Sequence, residues 1–285
     1  MVDHIRGESV IGSKSFAAVA VNCASKAGEW VKSRSGGYTQ LDVKQSQHDL
    51  VTEVDKGCER LIRNLISTHF PDHAFLGEEG VEPGPEASAK AVKGIADAEY
   101  VWIVDPIDGT TNYVHGFPFY SISIALAHRG QVVVGVIYDP SRDEMFLAER
   151  GKGAYVHGRK MKVSAEASLK DSLIATGFPS DPLQALPRNM DQLRAMAPLV
   201  RNIRSSGSAA LHLAYVAAGR LSGFWEIGLN AWDIAAGALL VEESGGKVTN
   251  AQGEPYHLGV RDVLASNGHI HDEFARALEG SAHGQ

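Results

Sequence analysis

The segment Tyr100-Val-Trp-Ile-Val-Asp105-Pro-Ile-Asp108-Gly-Thr-Thr-Asn112 sets the reading of the whole chain. Tyr100 to Val104 is a β-branched and aromatic run of the kind that packs within a sheet. Pro106 has no N–H for a ladder hydrogen bond, so the strand is expected to end at Asp105-Pro106 and to leave a charged turn at its carboxyl end. Two carboxylates on one tight turn can share divalent cations. Gly109 lets the backbone approach a ligand closely, and the amides of Gly109 and Thr110, at the start of an expected helix, can donate to phosphate oxygens. An Asp-Gly pair is by default only a turn with an aspartate cap. The density of functional groups here argues for chemistry instead.

On the carboxyl side, strands are expected at Tyr120 to Ala127, Val132 to Tyr138, Glu144 to Ala148 and Ala154 to Val156, with turns at Arg129-Gly130 and His157-Gly158. Together they read as an antiparallel meander. On the amino side, Phe16, Val19, Cys23, Ala27, Trp30 and Val31 recur at helical spacing, as do Val54, Cys58, Leu61, Ile62, Leu65 and Ile66. Between these helices, Ser35-Gly36-Gly37 and Gln45 to His48 read as a loop or a short hairpin. Pro71 stops the second helix, Ala74 to Leu76 is a short strand, and Gly77-Glu78-Glu79-Gly80 is a turn. Residues 82–98, rich in Pro, Gly, Ala and Ser, are expected to form an exposed connection.

After Leu173 to Thr176, helices and strands alternate: Ser208 to Ala218, Leu221 to Glu226, Trp232 to Glu243, Val263 to Ser266 and His271 to Leu278. Such alternation implies a second sheet with helices against it. The expected architecture is a layered α/β protein with two sheets whose halves meet over a cleft.

The 285 residues, 44% of them hydrophobic, can build a substantial core without staples. Cys23 and Cys58 fall in helical apolar patterns without metal-type spacing, which argues against a disulfide framework or a zinc site. No run of about 20 apolar residues could span a bilayer. The chain is read as soluble, unexported and cytoplasmic. A net charge of -7 offers no general attraction to nucleic acid or an anionic membrane, which need a basic face. The same acidity makes an anionic substrate awkward unless cations are bound.

The D-x-D-G-T loop of haloacid-dehalogenase-type phosphatases is superficially similar, but here Pro106 and Ile107 separate the aspartates and the loop lies far from the N-terminus. A covalent aspartyl mechanism is therefore disfavoured. The sequence resembles the inositol monophosphatase family through W-I-V-D-P-I-D-G-T-T-N at 102–112 and A-W-D-I-A-A-G at 231–237. Supporting matches are D-L-V-T-E-V-D at 49–55, G-E-E at 77–79, G-S-A-A at 207–210 and F-W-E-I-G at 224–228. The stretch from Arg204 to Gly228, with A-T-G-F-P at 175–179, resembles the bacterial branch. The resemblance implies one domain over 1–285, as a five-layered αβαβα sandwich with an N-terminal αβ half of about 14–170 and a C-terminal αβα half of about 171–280.

Carried over residue by residue, the resemblance puts the metal shell at Glu78, Asp105, the carbonyl of Ile107, Asp108 and Asp233, with Asp55 assisting metal-bound water. Hard oxygen ligands suit magnesium, about two or three Mg2+ ions, better than zinc. Thr110 and Glu78 would orient and deprotonate the attacking water, while Asp108, Gly109 and Thr110 would lie against the phosphate. Gly207, Ser208, Ala209, Glu226 and Asp233 match positions on the substrate side. Lys44 matches a family lysine near a metal-binding loop, although a lone loop lysine is by default solvated. Trp225 and Trp232 read as packing residues, and His115 and His212 as structural or solvent-facing. Gly80 stands where serine is frequent in the family, and about a dozen residues precede the first helix.

The implied activity is magnesium-dependent hydrolysis of an inositol monophosphate or a similar small sugar phosphate, with lithium sensitivity and a homodimer. The same core motifs also admit fructose 1,6-bisphosphate, NADP or a nucleotide 3′-phosphate as substrate. A regulatory factor associated with RNA polymerase is the alternative from another class.

Overall fold

The computed structural model describes residues 15–34, 42–43, 50–51, 53–178 and 182–280. Lys44 and the ends of the chain lie outside these residues. Helix α1 (Phe16–Lys32) starts at Ser15, whose hydroxyl accepts the Ala18 amide at 3.1 Å. The two-residue strands β1 (Asp42–Val43) and β2 (Leu50–Val51) pair antiparallel and lead into α2 (Glu53–His69). Then come β3 (Ala74–Gly77), a 3-10 turn at Glu78–Gly80, α3 (Pro85–Gly94), β4 (Tyr100–Asp108) and α4 (Thr110–Val114). Strands β5 (Ser121–His128), β6 (Gln131–Asp139), β7 (Glu144–Glu149), β8 (Gly153–Val156) and β9 (Arg159–Lys160) complete a seven-stranded sheet in simple sequential order from β3.

The second half comprises β10 (Leu173–Thr176), α5 (Pro182–Met196), β11 (Asn202–Arg204), α6 (Ala209–Ala217), β12 (Gly223–Glu226), α7 (Ala231–Glu243), β13 (Lys247–Asn250), β14 (Val263–Ser266) and α8 (His271–Gly280). Its five strands lie in the order β11-β10-β12-β14-β13.

Three apolar cores stack these elements into layers. Cys23, Ala27 and Ile62 of α1 and α2 meet Trp102, Val104, Ile122 and Val136 on one face of the large sheet. The alternate residues Val101, Ile103, Ala125 and Ile137 face the other way, onto Leu213, Ala236 and Leu239 of α6 and α7. Those helices are covered from behind by Phe224, Val248 and Ala265 of the small sheet, so α7 is buried nearly all round. Beyond the small sheet, Ile174, Trp225 and Leu264 pack on Met196, Phe274 and Leu278 of α5 and α8. The order is αβαβα. Because helices cover both faces of the large sheet, β4 reads as a continuous apolar run without alternation.

Several details differ from expectation. Strand β4 does not end at Asp105 but runs to Asp108, since a bulge against β5, between the pairs Asp105–Ser123 and Asp108–Ser121, takes Pro106 out of the ladder. Residues 82–98 contain α3, started by Pro85 at its first turn, where a missing N–H costs nothing. Strand β3 joins the meander in parallel with β4, reached through that helix. Helix α5 carries Pro187 and was not foreseen, and neither were β9, β11 and β13. Cys23 and Cys58 are free and buried. No helix among the described residues is long and apolar enough to cross a membrane.

Candidate active site

The carboxyl end of β4 carries Asp105 and Asp108, both buried. Asp105 is folded back on its own turn, its Oδ1 accepting the Ile107 amide at 3.0 Å. Thr110 Oγ1 lies 3.0 Å from the Ile107 carbonyl and 3.2 Å from Asp55 Oδ1, in the first turn of α2. The Thr110 hydroxyl thus holds Asp55 beside the turn. Gly109 has φ +98°, and a Cβ there would meet the Gly207 carbonyl at 3.0 Å and the Phe119 carbonyl at 3.1 Å. Only glycine allows this close approach.

Helix α6 approaches from the other half of the molecule. The Ser208 hydroxyl donates to Asp108 Oδ2, as does the Ala210 amide at 2.8 Å, and the Ala209 amide lies 3.3 Å from Oδ1. Ser208 and Ala209, expected at the substrate, are thus directed to a carboxylate at the N-terminus of a helix, where orphan amides favour negative charge. Asp233 lies in the first turn of α7 and forms a capping box, its Oδ2 accepting the Asn230 amide at 2.7 Å. Ser123, the ladder partner of Asp105, donates to the Trp232 carbonyl at 3.0 Å and so pins this first turn over β4.

The acids are electrostatic neighbours. Burial pushes Asp105 well above the usual carboxylate range, and Glu78, Asp108 and Asp233 push it further; its carboxyl also hydrogen-bonds Glu78. Asp108 is raised to about 6 by burial, held back by the hydrogen bonds from Ser208, Ala210 and Ala209. Asp233 is raised to about 7 by burial and then by Asp108, against its bonds to Asn230 and Asp105. Glu226, at the end of β12, is also raised well above its ordinary value by burial, then by Asp108 and Asp233. The structure therefore brings Glu78, Asp105, Asp108 and Asp233 together, with Glu226 at their side.

Among the described residues no three His, Cys, Asp or Glu side chains surround a common point as a formed ligand shell. The group is a set of mutually repelling carboxyls, some sharing protons through hydrogen bonds. Its chemistry fits a hard divalent cation: every donor is oxygen, and positive charge is what would let all four acids ionise together.

Sequence reasoning passed over three residues that shape this group. Glu59, buried on α2, accepts the Glu79 amide at 2.9 Å and Arg63 at 3.0 Å, and so holds the turn carrying Glu78. Its pairing with Arg63 four residues on was a usable signal. Asn112 Nδ2 reaches the carbonyls of Phe119 and Ser206, each at 2.6 Å, and joins the two glycine turns. Cys58 Sγ lies 3.5 Å from the Pro106 carbonyl, beneath the aspartate turn. Trp225, Trp232 and His212 are buried and His115 is exposed.

A model described as the inositol monophosphatase family matches residues 13–283. The chain belongs to this family. It is 43% identical over 269 residues to "Inositol monophosphatase 2" of Solanum lycopersicum, covering 93% of this chain and 98% of the relative. It is 39% identical over 257 residues to "Nus factor SuhB" of Pseudomonas aeruginosa, covering 87% and 90%. The solved inositol monophosphatase of Anabaena superposes with a TM-score of 0.80 at 38% identity, covering 93% of this chain and 95% of that one. As an inositol monophosphatase family member the chain is a metal-dependent phosphatase.

Proposed function

We propose that the protein hydrolyses myo-inositol monophosphate, or a closely similar small sugar phosphate, to the alcohol and inorganic phosphate with magnesium. The observation that carries this reading is the meeting of Glu78, Asp105, Asp108 and Asp233 beside the Gly109-Thr110 turn. Glu78, Asp105, the Ile107 carbonyl, Asp108 and Asp233 would hold Mg2+, about two or three ions. Bound magnesium supplies Lewis-acid activation of water and neutralises charge on the leaving oxygen. The chain's own residues position the reactants and take up a proton. The Gly109 and Thr110 amides receive phosphate oxygens, Thr110 Oγ1, tied to Asp55, orients the water, and Glu78 accepts its proton. Glu226, beside the acids and outside the aspartate turn, accepts hydrogen bonds from the alcohol.

Phosphate release from inositol monophosphate, fructose 1,6-bisphosphate, NADP and a nucleotide 3′-phosphate, measured under one magnesium concentration, tests the assignment. The inositol ester should show the highest kcat/KM, and a stronger preference for any of the others would move the substrate. Lithium inhibition and a homodimer in sedimentation belong to the same reading. The free Cys23 and Cys58 thiols suit a cytoplasmic location. The Pseudomonas relative is a Nus factor, which favours a second role in a transcription complex. Co-sedimentation with purified RNA polymerase tests that role independently of catalysis.

A further inference from the structure

Helix α5, which lies outside the aspartate motifs in sequence, stands behind Glu226. Strands β10 and β12 are parallel, with Thr176 opposite Trp225, so the next residues, Gly177 and Glu226, lie side by side. Trp225 faces the outer core with Phe274, whereas Phe224 and Glu226 face the inner layer and the acids. A Cβ on Gly177 would fall 2.1 Å from Glu226 Oε2 and 2.2 Å from Oε1. The carboxylate therefore lies flat against the bare Cα of Gly177, and any side chain there would displace it.

Three residues of α5 hold this arrangement. Asn189, fully buried, donates from Nδ2 to the Gly177 carbonyl at 3.1 Å. Gln192, also buried and one turn on, accepts the Trp225 indole N–H at 3.1 Å. Arg188 pairs with Asp262, whose other oxygen accepts the Gly228 amide at 3.1 Å. The contacts fall on the neighbour of Glu226 across the sheet, on the residue before it and on the turn after it. None touches Glu78, Asp105, Asp108 or Asp233.

We propose that Asn189 is a positioning residue that, through Gly177, sets Glu226 for the alcohol part of the substrate and thereby governs selectivity without entering the phosphate chemistry. The inference rests on reading Glu226 as the alcohol-binding group. Asn189→Asp keeps the volume and replaces the donor by an acceptor facing a carbonyl. Gly177→Ala acts on the next link, placing a methyl group against the Glu226 carboxylate.

The test measures KM and kcat for an inositol monophosphate and for 4-nitrophenyl phosphate at saturating magnesium, in the wild type, Asn189→Asp, Gly177→Ala, Glu226→Gln and the two doubles with Glu226→Gln. Asn189→Asp should raise KM for the inositol ester by about tenfold. It should change kcat on 4-nitrophenyl phosphate by less than about twofold. The KM rise should vanish in the Glu226→Gln background, which a merely structural effect would not do. A rise of equal size in that background overturns the proposal while the reading of Glu226 stands. If Glu226→Gln leaves KM for the inositol ester unchanged, that reading falls and the proposal with it. Should Asn189→Asp fail to fold, Asn189→Ser, alone and with Glu226→Gln, is judged by the same criteria, and Gly177→Ala checks the last link to Glu226.

Discussion

The Ser208 hydroxyl donates to the carboxylate of Asp108, a residue 100 positions earlier, while its oxygen accepts the Leu211 amide at 3.3 Å. One side chain thus caps α6 and joins it to the end of β4. The first turn of α6 becomes part of the site because it supplies the donors that keep Asp108 ionisable.

Ser208→Ala removes the cap and the donor together. It should lower unfolding free energy by about 1–2 kcal/mol. It should also raise the magnesium concentration needed for half-maximal activity, because Asp108 then gives up its proton less readily. Urea unfolding and a magnesium titration check both, and unchanged values in the two would refute the link.

Asp105→Asn should reduce turnover by orders of magnitude while the metal-free protein unfolds at no lower urea concentration. Burial of charge and repulsion from three acids act against ionised Asp105 in the folded state, so removing that charge relieves strain in the site. Phosphate release and urea unfolding of the same preparation decide it; wild-type rates would sink the metal assignment.

The metal-free protein should lose stability as pH rises from about 4 to about 7. Asp108 and Asp233 titrate in the folded state at about 6 and about 7, above the ordinary aspartate range. Between these limits the folded state binds more protons than the unfolded one, so stability falls with pH. Saturating magnesium should flatten this slope by replacing protons with cations. Thermal melts across that range, with EDTA and with magnesium, give the comparison.

His212 runs the opposite way. Its ring sits between Phe119 and Phe224, centroids 5.3 Å and 5.2 Å away, and neither nitrogen has a hydrogen-bond partner. Burial pushes its pKa down to about 3, so between about 6.5 and 3 the unfolded state binds the extra proton and stability falls as pH falls. His212→Phe should raise stability at neutral pH by about 1 kcal/mol. It should also shallow the acid limb relative to wild type, and taking the difference between the two melting curves cancels the carboxylates.

The local pattern of the chain was enough to show that residues 100–104 form an apolar strand run, that two carboxylates lie at its carboxyl end before a glycine, and that the flanking helices are amphipathic. Those features depend on near neighbours: side-chain period, the missing N–H of proline and the freedom of glycine. The same local rules misjudged Pro106, because a bulge against β5 absorbs a proline that would otherwise end the ladder. They hid α3 and α5, whose prolines and small residues resemble loop composition and whose helicity is supported by packing.

Sequence alone determined that acids, a glycine turn and a threonine occur at the end of a strand, and its likeness to a family named their roles. Only the tertiary structure decided how far each acid shifts, that Ser208 and the α6 amides serve Asp108, that Glu59 carries the Glu78 turn, and that α5 stands behind Glu226. Each of these depends on groups many positions apart meeting in buried, low-dielectric surroundings between the layers. Local periodicity carries no information about such distances, and burial multiplies the electrostatic consequence of every one of them.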